Sequence, residues 1–254
     1  MKSRPVREPL YRPQPIIDGP ATRQSAVLIA LSLALLASAL ACSRSPSAEA
    51  TTPASAAELP ATAAPNTEAP RIVFLGDSLT AGLGVAPNEA YPALIQQRVR
   101  QAGYAFEVVN AGVSGDTSAG GLRRFDWSLQ GDVRVLVLAL GANDGLRGLA
   151  ISDMQHNLAT MIERAQSRHI DVLLAGMEAP PNFGAEYTRQ FRGAYAELAR
   201  TYHVRFIPFF LTGVAGIAPL NQGDGIHPNA QGHRLIADLM WRNLQPLLAA
   251  RATQ

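Results

Sequence analysis

The sequence predicts an α/β fold, a mostly parallel five-stranded sheet with helices on both faces, and three observations predict it. From about residue 71 onward, short apolar runs alternate with longer segments of helical period. Each group of reactive residue types falls just after an apolar run or in a late loop. Residues 71–250 also have the length of one domain and enough apolar content for a full core. Alternation of this kind implies βαβ units, and in such sheets function is expected at the carboxyl ends of the strands.

The elements follow in order. Ile72-Val73-Phe74-Leu75 is a continuous apolar run, the mark of a short buried strand, and Gly76-Asp77-Ser78 breaks it into a helix start. A helix is expected over 89–102, a strand over 106–110, a helix over 119–129 and a strand over 133–140. A further helix over 152–168 rests on Ile151, Met154, Leu158, Met161 and Ile162 recurring at helical spacing. Strands at 171–176 and 204–207 flank a helix at 186–202, and a last helix covers 230–248. His169 and His203 fall where helices end before strands, where the helix dipole favours a cation. No internal repeat is found.

Ahead of the domain, residues 26–41 (AVLIALSLALLASALA) form an apolar stretch preceded by Arg23 and ending in small residues, short for a membrane span. Residues 1–42 therefore read as an N-terminal extension and export signal, implying a bacterial periplasmic or envelope location. Ala39-Leu40-Ala41 suits an ordinary signal peptidase, while Cys42 resembles a lipid-accepting cysteine that would tether the protein to a membrane; both fates stay open. Residues 43–70 are rich in Ala, Pro, Ser and Thr, too poor in large apolar side chains to offset their ordering entropy, and read as a disordered linker.

Composition removes rival chemistries. The only lysine is Lys2 and the only cysteine Cys42, so the domain has no Ser/Lys dyad, Schiff-base lysine, cysteine nucleophile, disulfide or Cys-rich zinc site. Of 22 basic and 20 acidic residues, five and two lie in the first 42 positions, leaving the remainder near neutrality. No basic tract follows, so nucleic acid is not an expected partner. No HExxH or comparable spacing points to a metal, the segment 112–115 lacks the lysine of a phosphate-binding loop, and no cofactor or obligate protein partner is expected.

Four blocks carry the chemistry: GDSLTAG around Ser78, NAGVSGDTS containing Gly115, LGANDG containing Asn143, and DGIHPN with Asp224 and His227. Singly, each has a plain structural reading: Ser78 as a helix cap, Gly115 as a turn glycine, and Asn143-Asp144-Gly145 as an Asx-rich loop. Asp77 is expected to brace backbone amides rather than take part in chemistry. In order and together, the blocks resemble the SGNH or GDSL hydrolases, in particular the exported thioesterase I, arylesterase and lysophospholipase L1 group. That resemblance spans nearly all of residues 71–248 and includes Asn143-Asp144-Gly145-Leu146-Arg147-Gly148.

The resemblance implies a flavodoxin-like three-layer α/β/α sandwich and a serine esterase acting on small ester, and possible thioester, substrates. It implies Ser78 as nucleophile, His227 as base, Asp224 as its orienting carboxylate, and the Ser78 amide, Gly115 and Asn143 as oxyanion donors. The physical chemistry agrees: a serine hydroxyl needs a base to attack, Gly115 lets a carbonyl approach, and an asparagine amide donates without titrating. Leu79, Leu146, Pro180 and Phe183 are expected along the substrate groove. Asp153 to His156 repeats the spacing of Asp224 to His227, but its helical context makes His156 a solvated or partly packed helix residue rather than the base; His233 belongs to the last helix as a structural residue. Two alternatives remain, a carbohydrate O-acetylesterase of the same fold and a tethered, non-catalytic binding module.

Overall fold

The computed structural model describes residues 69–252; the export segment, Cys42 and the linker as far as residue 68 lie outside the described residues. Five strands form one sheet: β1 (Arg71–Gly76), β2 (Glu107–Gly112), β3 (Val133–Ala139), β4 (Asp171–Ala175) and β5 (Arg205–Ile207). Every neighbouring pair is parallel, in the order β2-β1-β3-β4-β5. This is the flavodoxin-like order, in which the chain steps one way from β1 to β2 and then the other way to β3. The reversal opens a crevice at the carboxyl ends of β1 and β3.

The central strands read as unbroken apolar runs because both faces are covered: Ile72 to Leu75 and Val135 to Leu138 have no exposed surface. Edge strand β2 is only half-buried. The side chain of Gln96 serves it as a neighbour, accepting from the Val108 N–H (2.7 Å) and donating to the Phe106 carbonyl (3.1 Å). Two backbone groups that would otherwise recruit another strand are thereby occupied.

The helices are α1 (Ser78–Ala81), α2 (Tyr91–Gln101), α3 (Ser118–Arg123), α4 (Phe125–Ser128), α5 (Ala142–Leu146), α6 (Ile151–Ser167), α7 (Ala185–Thr201) and α8 (Ala230–Ala252). Helix α2 packs on α8, and α6 packs on α3 and α7. The apolar stripe of α6 (Met154, Leu158, Met161, Ile162) is fully buried.

The single helix expected over 119–129 is instead two, parted at Arg124. Arg124 is drawn inward: it donates to the Gly76 and Ala111 carbonyls (2.9 and 2.8 Å) and pairs with Asp116 (2.6 Å). The helix start expected after Gly76 is α1, a single turn; helix α5 was not foreseen, since five residues are too few to display a period. His169 and His203 do follow helix ends, but with φ of 57° and 53°, the left-handed position that usually holds glycine. The N–H groups of Ile170 and Val204 close each turn on Ala165 and Ala199.

Candidate active site

The nucleophile block owes its shape to two close approaches. A methyl on Gly76 would fall 1.9 Å from the Thr80 hydroxyl, and one on Gly112 would fall 2.2 Å from the Ala81 amide nitrogen. Both glycines let α1 fold back against the ends of β1 and β2. Asp77 caps that helix by accepting the Leu79 N–H (3.0 Å), so it braces backbone as the sequence suggests. Ser78, half-buried, is the first helical residue; with only one turn behind it, the local field is that of a few free N–H groups rather than of a long dipole.

The second half of the site lies in the loop before α8. An isolated bridge joins Asn221 to Pro228, and the Gln222 N–H donates to the His227 carbonyl at 2.7 Å. The Gln222 side chain then donates to Pro228 O (2.9 Å) and to Leu83 O (2.7 Å), tying the loop to the chain just after α1. Within the loop, Asp224 Oδ1 accepts the N–H groups of Ile226 (2.9 Å) and His227 (3.0 Å), while Oδ2 lies 2.6 Å from His227 Nδ1. The His227 N–H, then the imidazole and the Ile226 N–H, hold the Asp224 carboxyl well below the usual carboxylate range.

An ionised Asp224 requires the proton on Nδ1, which leaves the lone pair on Nε2. Nε2 accordingly accepts the Ser78 hydroxyl, at 2.9 Å. Residues 149 positions apart are thus joined into one chain of hydrogen bonds from hydroxyl to imidazole to carboxylate.

The remaining blocks converge on the same point. Gly115 follows β2 with φ 83°, and Asn143 sits in α5, entered through Gly141 at φ 109°. Neither the Ser78 nor the Gly115 N–H has an acceptor within the described residues. Asn143 Nδ2 donates to the Asp116 carbonyl (2.9 Å) and approaches Asp77 Oδ2 (3.3 Å). Burial raises the Asp77 carboxyl to about 6, against the opposing pull of the Leu79 N–H and of His227.

Ser78, Gly115, Asn143 and His227 open into a cavity of about 540 Å³. Of the side chains expected along it, Leu79, Leu146 and Pro180 lie in its wall. Phe183 does not: the 3₁₀ turn Pro181–Phe183 directs its ring against Gly148 and Tyr187. Leu83, Met177, Phe209, Leu211 and Ile226 also line it and were not foreseen. Met177 and Phe209 follow the carboxyl ends of β4 and β5, a signal that could have found them.

Asp144 was also passed over. It is buried, accepts the Ser118 N–H (2.8 Å) and hydroxyl (2.6 Å), and so binds the Asn143 block to the helix after Gly115. His156 is exposed on α6, away from this site. His233 is buried against Tyr91 and accepts its N–H at 3.3 Å; burial lowers its pKa to about 4. Among the described residues no three His, Cys, Asp or Glu side chains are grouped to hold a metal.

Fold and site together define an α/β enzyme of the ester-hydrolase class. The pattern of the GDSL-like lipase/acylhydrolase family matches residues 74–235, and the chain belongs to that family, the SGNH hydrolases. It is 41% identical over 181 residues to the esterase TesA of Pseudomonas aeruginosa, covering 71% of this chain and 90% of that one. It is 36% identical to the thioesterase 1/protease 1/lysophospholipase L1 of Escherichia coli, covering 71% and 86%. Among solved structures, the esterase EstA of Pseudoalteromonas, inhibited by monoethylphosphonate, is 33% identical with a TM-score of 0.67, covering 70% of this chain and 98% of that one. The protein is a hydrolase acting on ester bonds.

Proposed function

We propose that Ser78, His227 and Asp224 hydrolyse carboxylic esters, and acyl thioesters, through an acyl-enzyme. His227 Nε2 takes the hydroxyl proton as Ser78 Oγ forms its bond to the acyl carbon; the imidazolium is stabilised by Asp224. The tetrahedral oxyanion accepts hydrogen bonds from the Ser78 and Gly115 N–H groups and from the Asn143 amide, whose longer contact to Asp77 Oδ2 (3.3 Å) is exchanged for the oxyanion while that to the Asp116 carbonyl is kept. Collapse expels the alcohol or thiol, which takes the proton from His227. Water, deprotonated by the same imidazole, then attacks the acyl-enzyme and releases the carboxylic acid and Ser78.

The observation that carries this reading is the unbroken chain from Ser78 Oγ to His227 at 2.9 Å and from His227 to Asp224 at 2.6 Å. The apolar wall of Leu79, Leu83, Leu146, Met177 and Phe209 favours an acyl chain or aryl group over a polar glycan. It supports arylesterase, thioesterase and lysophospholipase activities over carbohydrate deacetylation. The apolar segment before Cys42 supports export to the envelope, with the chain either released after Ala41 by an ordinary signal peptidase or tethered through a lipidated Cys42. Ser78→Ala is expected to fold normally and to lose both hydrolysis of p-nitrophenyl esters and labelling by a fluorophosphonate probe. Near-native turnover in that variant would remove Ser78 from its role.

A further inference from the structure

Gly115 is poorly held for a group on which an oxyanion would depend. It has no side chain, its φ of 83° lies where a glycine moves freely, and a methyl placed on it would meet one atom within 4 Å, Arg147 Nη2 at 3.9 Å. Its N–H has no acceptor within the described residues, and the hydrogen bond that its carbonyl accepts comes from Arg147 Nη2, at 2.9 Å. The turn through Gly115 is closed by the Asp116 N–H on the Val113 carbonyl (3.1 Å), but the Ser114–Gly115 peptide, the unit that carries the N–H, has neither its carbonyl nor its N–H hydrogen-bonded among the described residues, and a peptide so placed beside glycine can turn its N–H away from the cavity.

We propose that Arg147 is the positioning residue for the oxyanion hole, acting through Gly115. This inference rests on Gly115 and Asn143 being the donors, as read above. Arg147 stands four residues after Asn143, at the end of the same helix α5, so the two side chains share one face. Its backbone is itself anchored, the Arg147 N–H donating to the Asn143 carbonyl at 3.2 Å. From this helix three side chains reach one stretch of backbone: Arg147 takes the Gly115 carbonyl, Asn143 the Asp116 carbonyl and Asp144 the Ser118 N–H. The three peptide units that follow the Gly115 N–H are held from the element that also carries the second donor, so α5 fixes the C-terminal side of Gly115, on which the direction of its N–H depends. The Arg147 side chain is exposed and forms no ion pair among the described residues, so a second partner does not divert it from this contact.

The test compares Arg147→Ala and Arg147→Lys with wild type on p-nitrophenyl butyrate, which is neutral, and on butyryl-CoA, with Ser78→Ala run alongside. With unchanged melting temperatures, Arg147→Ala is expected to lower kcat roughly tenfold on both substrates with KM little changed, as for a displaced transition-state donor. The rate of fluorophosphonate labelling, which also places an oxygen in the hole, should fall in parallel. Arg147→Lys, which can still donate to the carbonyl, should restore part of the loss. Unaltered kcat in Arg147→Ala, or a loss confined to butyryl-CoA or to KM, would overturn the inference, the latter pointing to Arg147 as a contact for the charged leaving group. Unaltered kcat in an Asn143→Ala control, or activity in Ser78→Ala, would instead overturn the donor or nucleophile assignment on which the inference rests, so the failures are separable.

Discussion

At the scale of single residues, the site works by assigning protons. Asp224 gathers two backbone N–H groups on one oxygen and the imidazole on the other, which keeps it ionised and keeps the His227 proton on Nδ1. Asp224→Asn preserves the shape but offers His227 an amide that can donate, so the imidazole turns to the wrong tautomer. We expect a fall in kcat of roughly a thousandfold or more at neutral pH, with the melting curve little changed, by analogy with the same substitution in the chymotrypsin-type triad. Loss of less than about tenfold would mean that the carboxylate does not set the tautomer. The candidate residues could be picked out of the sequence because each lies in a short block, and the roles proposed for them came from the family resemblance of those blocks. Arg147, Asp144 and Gln222 could not, because their partners at Gly115, Ser118 and Leu83 are distant in sequence and an exposed arginine has no sequence mark that separates it from the others.

At the scale of elements, glycine decides where α1 can lie. Gly112 ends β2 with its Cα against the backbone of Ala81, and backbone cannot turn aside as a flexible side chain can. Gly112→Ala should therefore destabilise the fold by about 1–3 kcal/mol, as overpacking does, and displace Ser78 enough to reduce kcat. Urea denaturation and a p-nitrophenyl ester assay check both parts, and an unaltered midpoint would show that α1 is free to shift. The five strands and the long helices were legible in advance because burial on both faces of the sheet writes continuous apolar runs, and one-sided burial writes a helical period. The break at Arg124 was not legible. Its cause is a set of carbonyls at Gly76 and Ala111 that only sheet formation brings beneath the helix.

At the scale of the whole molecule, two buried groups, Asp77 in the cavity wall and His233 against Tyr91, oppose one another with pH. Asp77 is raised from 3.8 to about 6 by burial, so the folded state binds the extra proton; its contribution is present below about pH 4 and is lost as pH rises through 6. His233 is lowered from 6.5 to about 4, so the unfolded state binds the proton; its contribution is present above 6.5 and is lost as pH falls through 4. Each shift amounts to roughly 3 kcal/mol at about 1.4 kcal/mol per pH unit, with opposite sign over nearly the same window. Wild-type stability should thus owe little net slope to this pair between pH 4 and 6.5. Asp77→Asn should expose the His233 slope, with urea midpoints falling steadily from pH 6.5 to 4. Parallel wild-type and variant profiles would show that the two groups are not opposed.

The sequence by itself determined the succession of strands and helices, the family, and which serine, aspartate and histidine stand in reactive blocks, since each is encoded by neighbours along the chain. Tertiary structure alone decided that Gln222 fastens the histidine loop beside α1, that Phe183 turns away from the cavity while Met177 and Phe209 line it, and that Arg147 reaches Gly115. The physical reason is that periodicity and local spacing reflect burial and turn geometry within a segment, whereas a hydrogen bond between segments depends on distances that exist only once the sheet has brought their ends together.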